Sequence, residues 1–219
     1  MDTDPSFDYM PREHQLKLHD SSLRLQREFL GVYDKETINR FLRTSYDEFS
    51  VGAESDVYAT TFAERFAMAR LRAMRAMETR NERDVPIVLV ISEHDSARAQ
   101  IALGYLRNLL GDSAIIWSGG RNPDPVLNHD AVLVMAEDGV DISGAQPKRW
   151  NNEIIRAADI VVNIGDHEAV PVFSGRRYVD WEISDPGADP VLIRAARDEI
   201  KRRAQELAGE IVVVAQSNG

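Results

Sequence analysis

Cysteine is absent from all 219 residues. Within this chain that excludes a disulfide framework, a thiolate metal site, a redox dithiol and a cysteine nucleophile. Long apolar runs are missing too: the longest, residues 85–91 and 211–215, fall far short of the roughly 20 residues a membrane-spanning helix requires. Positive charge is scarce, with 26 Lys and Arg against 36 Asp and Glu and a formal net charge of −10. Nucleic-acid affinity rests on clustered basic side chains, so neither DNA nor RNA is expected as a partner. Residues 1–20 contain Asp2, Asp4, Asp8 and Asp20 and no apolar signal core, which points to a cytoplasmic protein with no membrane association. An apolar fraction of 43% is that of a foldable globular chain, long enough to bury a core without covalent staples.

Three regions follow from the patterning. Residues 1–20 mix Pro5, Pro11, aspartates, His14 and His19 without sustained periodicity and read as a flexible arm. Residues 21–84 carry apolar side chains at helical spacing, first Leu25, Phe29 and Val32, then Ile38, Phe41, Leu42, Tyr46 and Phe49, then Phe62, Phe66, Met74 and Met77. A three-helix bundle results. Asp34 stands where it can cap the second helix, and a polar break at residues 52–56 precedes the third. The charged stretch 78–84, followed by Pro86, marks the boundary to an α/β domain spanning residues 85–219. Strands are predicted at 87–91, 114–117, 159–163 and 211–214, and helices at 97–110, 126–137, 152–158 and 190–207. Such alternation implies a four-stranded parallel sheet flanked by helices.

Ligands of such sheets sit beyond the carboxyl ends of the strands, so the first strand-to-helix turn is the first candidate site. It reads Ser92, Glu93, His94, Asp95, Ser96, Ala97, Arg98. Successive backbone N–H groups, a helix N-terminus behind them and a guanidinium fork in front suit a tetrahedral oxyanion. Phosphate, sulfate and arsenate are the candidate ligands.

The spacing from Ser92 to Arg98 resembles the Cys-(five residues)-Arg loop of the low-molecular-weight protein tyrosine phosphatases and of the arsenate reductases built on the same fold. The resemblance continues downstream through Gly111-Asp112, Trp117-Ser118-Gly119-Gly120 and Val134-Met135-Ala136-Glu137-Asp138-Gly139-Val140-Asp141. Further on it takes in Ala158-Asp159-Ile160-Val161-Val162, Pro171, Gly175-Arg176-Arg177-Tyr178, Trp181 and Asp185-Pro186, then Arg197-Asp198-Glu199-Ile200. The pattern is most similar to actinobacterial, mycothiol-using arsenate reductases, some of which carry a three-helix N-terminal attachment. It implies the low-molecular-weight phosphatase fold, with arsenate reduction or phosphotyrosine hydrolysis as the family's activities. It also places Ser92 at the position of the nucleophile and Asp185 at that of the general acid.

The departures carry as much information. The family's nucleophile is a cysteine, and a serine hydroxyl, mostly protonated at neutral pH, is a poor substitute without an adjacent base. The residue after the arginine, usually Ser or Thr, is Ala99, and the loop after the third strand, from Gly165 to Pro171, holds none of the further cysteines of thioredoxin-coupled relatives. Glu93 and Asp95 bring two carboxylates into the loop, which would weaken anion capture if they faced the anion. The leading expectation is a catalytically inactive, oxyanion-binding or regulatory relative, self-associating as a homodimer through its helical module. One alternative is residual arsenate reductase or phosphatase activity through Ser92, with His94 as base and Asp95 or Asp185 as its orienter. The other is a purely structural interaction protein in which Arg98 merely pairs with Glu93, Asp95 or Asp185. No cofactor is expected, and His14, His19, His129 and His167 lack metal-ligand spacing.

Overall fold

The computed structural model describes residues 7–50, 58–165 and 170–217. The polar break at 52–56, His167 and most of the loop after the third strand (166–169) lie outside them, as do residues 1–6. The chain divides into two compact units, Met1–Arg75 and Ala76–Gly219.

The first unit is helical: α1 (Arg12–Glu28), α2 (Lys35–Ser50) and α3 (Ala59–Glu78), whose last residues belong to the second unit. Its core gathers Leu18, Leu25, Phe29, Ile38, Phe41, Leu42, Tyr46, Ala63, Ala67 and Leu71. These positions recur every three or four residues, so each helix turns one apolar stripe inward. Asp34 caps α2 as its position suggests, accepting the Thr37 N–H at 2.7 Å. Residues 12–20, expected to belong to a flexible arm, instead form the first half of α1. His14, Gln15 and Leu18 are buried there, and His14 Nδ1 meets the Tyr46 hydroxyl at 2.7 Å. The polar composition hid this half-helix because two of its inward positions, His14 and Gln15, are satisfied polar groups rather than apolar ones.

The second unit is a parallel sheet of β1 (Ile87–Ser92), β2 (Ile115–Gly120), β3 (Ile160–Ile164) and β4 (Arg177–Trp181) in the order β2-β1-β3-β4. It is flanked by α4 (Arg98–Leu110), α5 (His129–Glu137), α6 (Asn152–Ala157) and α7 (Pro190–Ser217). All six residues of β1 are buried, as expected of a central parallel strand covered on both faces. Val88 and Val90 join the core made with α4, α5 and α7, including Leu106, Met135, Ile193 and Ile200. The expected boundary after residue 84 lies within this unit. Its charged stretch is anchored to the base of the sheet: Arg80 and Arg83 both pair with Asp159, at 2.5 and 3.1 Å, and Asp159 also accepts the Ile87 N–H at 2.9 Å.

The fourth strand is not the expected one. Residues 211–214 continue α7, in which Ile193, Ala196, Ile200, Ala204, Leu207 and Ile211 form one buried stripe at helical period. The β-branched run imitates a strand, but Val213 is 62% exposed, so the run follows the helix rather than a sheet. The true fourth strand, β4, is an edge strand whose charged and half-buried residues give little apolar signal. No helix among the described residues is long and apolar enough to cross a membrane.

Candidate functional site

The strand order places β1 between β2 and β3, so the chain leaves β1 at the point where the connections diverge to either side. There, beyond the carboxyl end of β1, lies a cleft of about 270 Å³ lined by Ser92, His94, Ser96, Ala97, Arg98, Asp124, Asn128, Asp185 and Gly187.

Backbone bonds hold the loop open around this cleft. The carbonyls of Ser92, Glu93, His94 and Ser96 accept the N–H groups of Arg121, Asn122, Asp124 and Asn128, at 3.3, 2.9, 3.0 and 2.9 Å. Gly120 makes that close approach possible: a Cβ there would stand 2.9 Å from the Glu93 oxygen and from the His94 carbonyl carbon. Only glycine fits. Asp95 adopts a left-handed conformation (φ 51°), which Asp tolerates better than most residues. Its N–H donates to Ser92 Oγ at 3.2 Å. Helix α4 then starts at Arg98 with no side-chain cap on its first amides, which leaves the positive end of its dipole toward the cleft.

Arg98 is only 4% exposed. Its Nη1 donates to the Ile183 carbonyl at 2.9 Å and its Nη2 to Asp185 at 2.8 Å. Of the three carboxylates expected as partners, the structure selects Asp185, whose other oxygen accepts the Gly187 N–H at 2.8 Å. Gly165, at φ 57°, leaves the room that the guanidinium occupies, since a Cβ there would overlap both Arg98 and the Ile183 carbonyl.

The two carboxylates feared for anion capture are both turned elsewhere. Glu93 accepts from the Asn122 amide and lies 3.9 Å from Arg121. Asp95, completely buried, faces Gln100, Ser118 and Lys148, and burial pushes its carboxyl up to about 6. Neither residue lines the cleft. His94 Nδ1 meets the Asn122 carbonyl at 3.1 Å and lies 3.7 Å from Asp124, so its orienting partners are not Asp95 or Asp185. Sequence reasoning missed Asp124 and Asn128. Asp124 accepts the Ser96 hydroxyl, and Asn128 caps α5 through the Ala131 N–H at 3.0 Å. The signal was present in Asn122-Pro123-Asp124-Pro125, a turn-forming run opposite the loop. Among the described residues no three His, Asp or Glu side chains gather as a metal-ligand set.

Comparison with known proteins fixes the family. The protein is similar to an arsenate reductase of Halalkalibacterium halodurans, 32% identical over 56% of this chain and 94% of that protein. The chain belongs to the arsenate reductase family. A solved thioredoxin-dependent arsenate reductase of Corynebacterium glutamicum matches 92% of this chain and 99% of its own, at 32% identity and a TM-score of 0.76. Another solved arsenate reductase, described in its phosphate-binding state, matches 58% of this chain and 99% of its own, at 26% identity and a TM-score of 0.54. Residues 18–75 match the family model described as a protein-tyrosine-phosphatase-like N-terminal domain. The fold is therefore the low-molecular-weight phosphatase fold that arsenate reductases share, preceded by a helical region.

Proposed function

We propose that this chain is an oxyanion-binding member of the arsenate reductase family that works without thiolate chemistry. The loop at 92–98, with Asp185 at its mouth, holds a tetrahedral anion such as phosphate, sulfate or arsenate. The observation that carries this reading is Arg98, nearly buried and fixed by two acceptors at the foot of the uncapped helix α4. A guanidinium and helical amides without a side-chain cap, converging on one cleft, form an anion site. A solved relative in a phosphate-binding state supports it.

Catalysis in this family's manner starts from a thiolate, whereas Ser92 stands at that position and the chain has no cysteine. Among the described residues, the Ser92 hydroxyl accepts the Asp95 N–H and has no imidazole or carboxylate partner to activate it. The role that remains is regulatory: the anion-bound state is recognised rather than turned over. Within this proposal the helical unit carries self-association. Leu16 and Leu23, seven residues apart on α1, are both exposed, and an apolar strip at that spacing suits contact with a second copy.

Calorimetric titration with sulfate, phosphate and arsenate tests the reading. Binding that Arg98→Ala abolishes is expected. An aryl phosphate or arsenate turnover that Ser92→Ala abolishes would overturn it.

A further inference from the structure

Asp95 belongs to the anion loop, yet its carboxylate has no access to the cleft or to water. It sits in a socket built from three other segments. From α4, Gln100 Nε2 donates to Oδ1 at 2.8 Å. From β2, the Ser118 hydroxyl reaches Oδ2 at 3.4 Å. From the segment before α6, the Lys148 N–H donates to Oδ2 at 3.0 Å, and the Lys148 ammonium stands 3.7 Å away while also donating to Ser118 at 2.7 Å. Among the described residues, Lys148 is the one charged group that faces Asp95 from these segments. In its own loop, Glu93 is directed at Asn122 and Arg121, His94 at Asn122 and Asp124, and Arg98 at Asp185.

We infer that oxyanion binding by this loop is coupled to uptake of a proton by Asp95, with the buried Gln100 amide accepting the hydrogen bond of the neutral carboxyl. The inference rests on the anion-binding reading above. An anion held by residues 92–98 brings negative charge next to a carboxylate that burial already disfavours in its ionised form, and two like charges in a low-dielectric site raise each other's proton affinity. Solvent supplies the proton, and no bond other than the O–H forms.

The socket can receive that proton. Gln100 is itself completely buried, and its Oε1 has no partner among the described residues. When the amide turns over, Oε1 accepts the O–H of neutral Asp95 and the hydroxyl of Ser118, whose one proton leaves its long contact with Oδ2, where the Lys148 N–H remains. Oε1 has no bond to lose in the turn, the cost falls on the two bonds that Nε2 gives up, and the ionised and neutral states of Asp95 are each met by one end of the amide. The carboxyl's ordinary value is displaced to about 6, which puts the exchange in the physiological range.

Sulfate is the suitable probe, because its own charge is constant across the range, and a His94→Gln background removes the imidazole that lines the cleft. Calorimetry in buffers of differing ionisation enthalpy reads protons taken up on binding. Sulfate affinity is expected to be about tenfold higher at pH ~5.5 than at pH ~8, with net proton uptake between those limits. Asp95→Asn is expected to bind with no proton uptake and, at the upper limit, with the affinity its parent shows at the lower. Sulfate binding without proton uptake, or uptake that survives Asp95→Asn, would overturn the coupling while leaving the anion site intact. Failure of the unsubstituted protein to bind sulfate at any pH would overturn the anion site and the coupling together.

Discussion

Arg98 donates to Asp185 at 2.8 Å across the mouth of the cleft, joining the first turn of α4 to a residue 87 positions further along the chain. Asp185 is half exposed while Arg98 is buried, so the carboxylate shields the guanidinium from the solvent side. On the proposed anion-binding reading, an incoming anion competes with it. Asp185→Asn is therefore expected to raise sulfate affinity about three- to tenfold, the gain expected when a like charge leaves the rim of a partly screened site. An unchanged or weaker affinity in calorimetry would contradict this.

The socket of Asp95 has a consequence for stability as well as for binding. Its folded-state value, about 6, lies above the ordinary 3.8, so the fold bears the cost of an ionised buried carboxylate above pH 6. That cost fades as pH falls from about 6 toward 3.8 and is gone below. Asp95→Asn is expected to be more stable than its parent by about 2–3 kcal/mol near neutral pH and to converge with it near pH 4. Urea unfolding across that range reads the difference, and parallel curves would refute it.

Gly165 makes room for Arg98 with a positive φ and no side chain. Gly165→Ala is expected to cost about 2–4 kcal/mol through overlap and backbone strain, and to weaken sulfate binding by displacing the guanidinium. Gly144→Ala, where an added methyl meets nothing within 4 Å and no unusual φ is needed, should leave thermal unfolding and binding unchanged.

Ser92→Cys would place a thiol in the cleft that Arg98 and the start of α4 also line, an environment that lowers thiol proton affinity. Alkylation by iodoacetamide below pH ~7 is expected to proceed faster than for free cysteine and to be blocked by sulfate. A thiol with ordinary reactivity, or one indifferent to sulfate, would show that the loop does not present residue 92 to an anion.

The proposed self-association through Leu16 and Leu23 of α1 predicts a dimer by light scattering. Replacing Leu16 and Leu23, exposed at 40% and 39%, with Glu is expected to give a monomer without loss of helicity, and a parent that is already monomeric would refute it.

Much of this site is legible in the amino-acid sequence, because its chemistry lies in one contiguous segment. An uninterrupted apolar run ending in Ser92, a polar turn and Arg98 at a helix start can be read in chain order. Asp185 follows from its match to a family motif. The supports are not legible, because they are assembled by topology: Gln100, Ser118 and Lys148 come from three segments and meet only at Asp95. The sheet shows the same division. The buried β1 declares itself through composition, whereas β4 at the edge carries Arg177 and Asp180 and is identified only by its pairing with β3. Composition is the misleading cue at residues 211–214, where valines suited to a strand belong to a long helix whose buried stripe keeps the helical period.

Asn128 caps α5 with its oxygen and donates its amide nitrogen to the Gly187 carbonyl at 3.3 Å. One planar group thus ties the near wall of the cleft to the turn that bears Asp185. The bore of the site is set by the span of a single amide, so exchange at position 128 would alter which size of ligand enters before it altered anything at the floor.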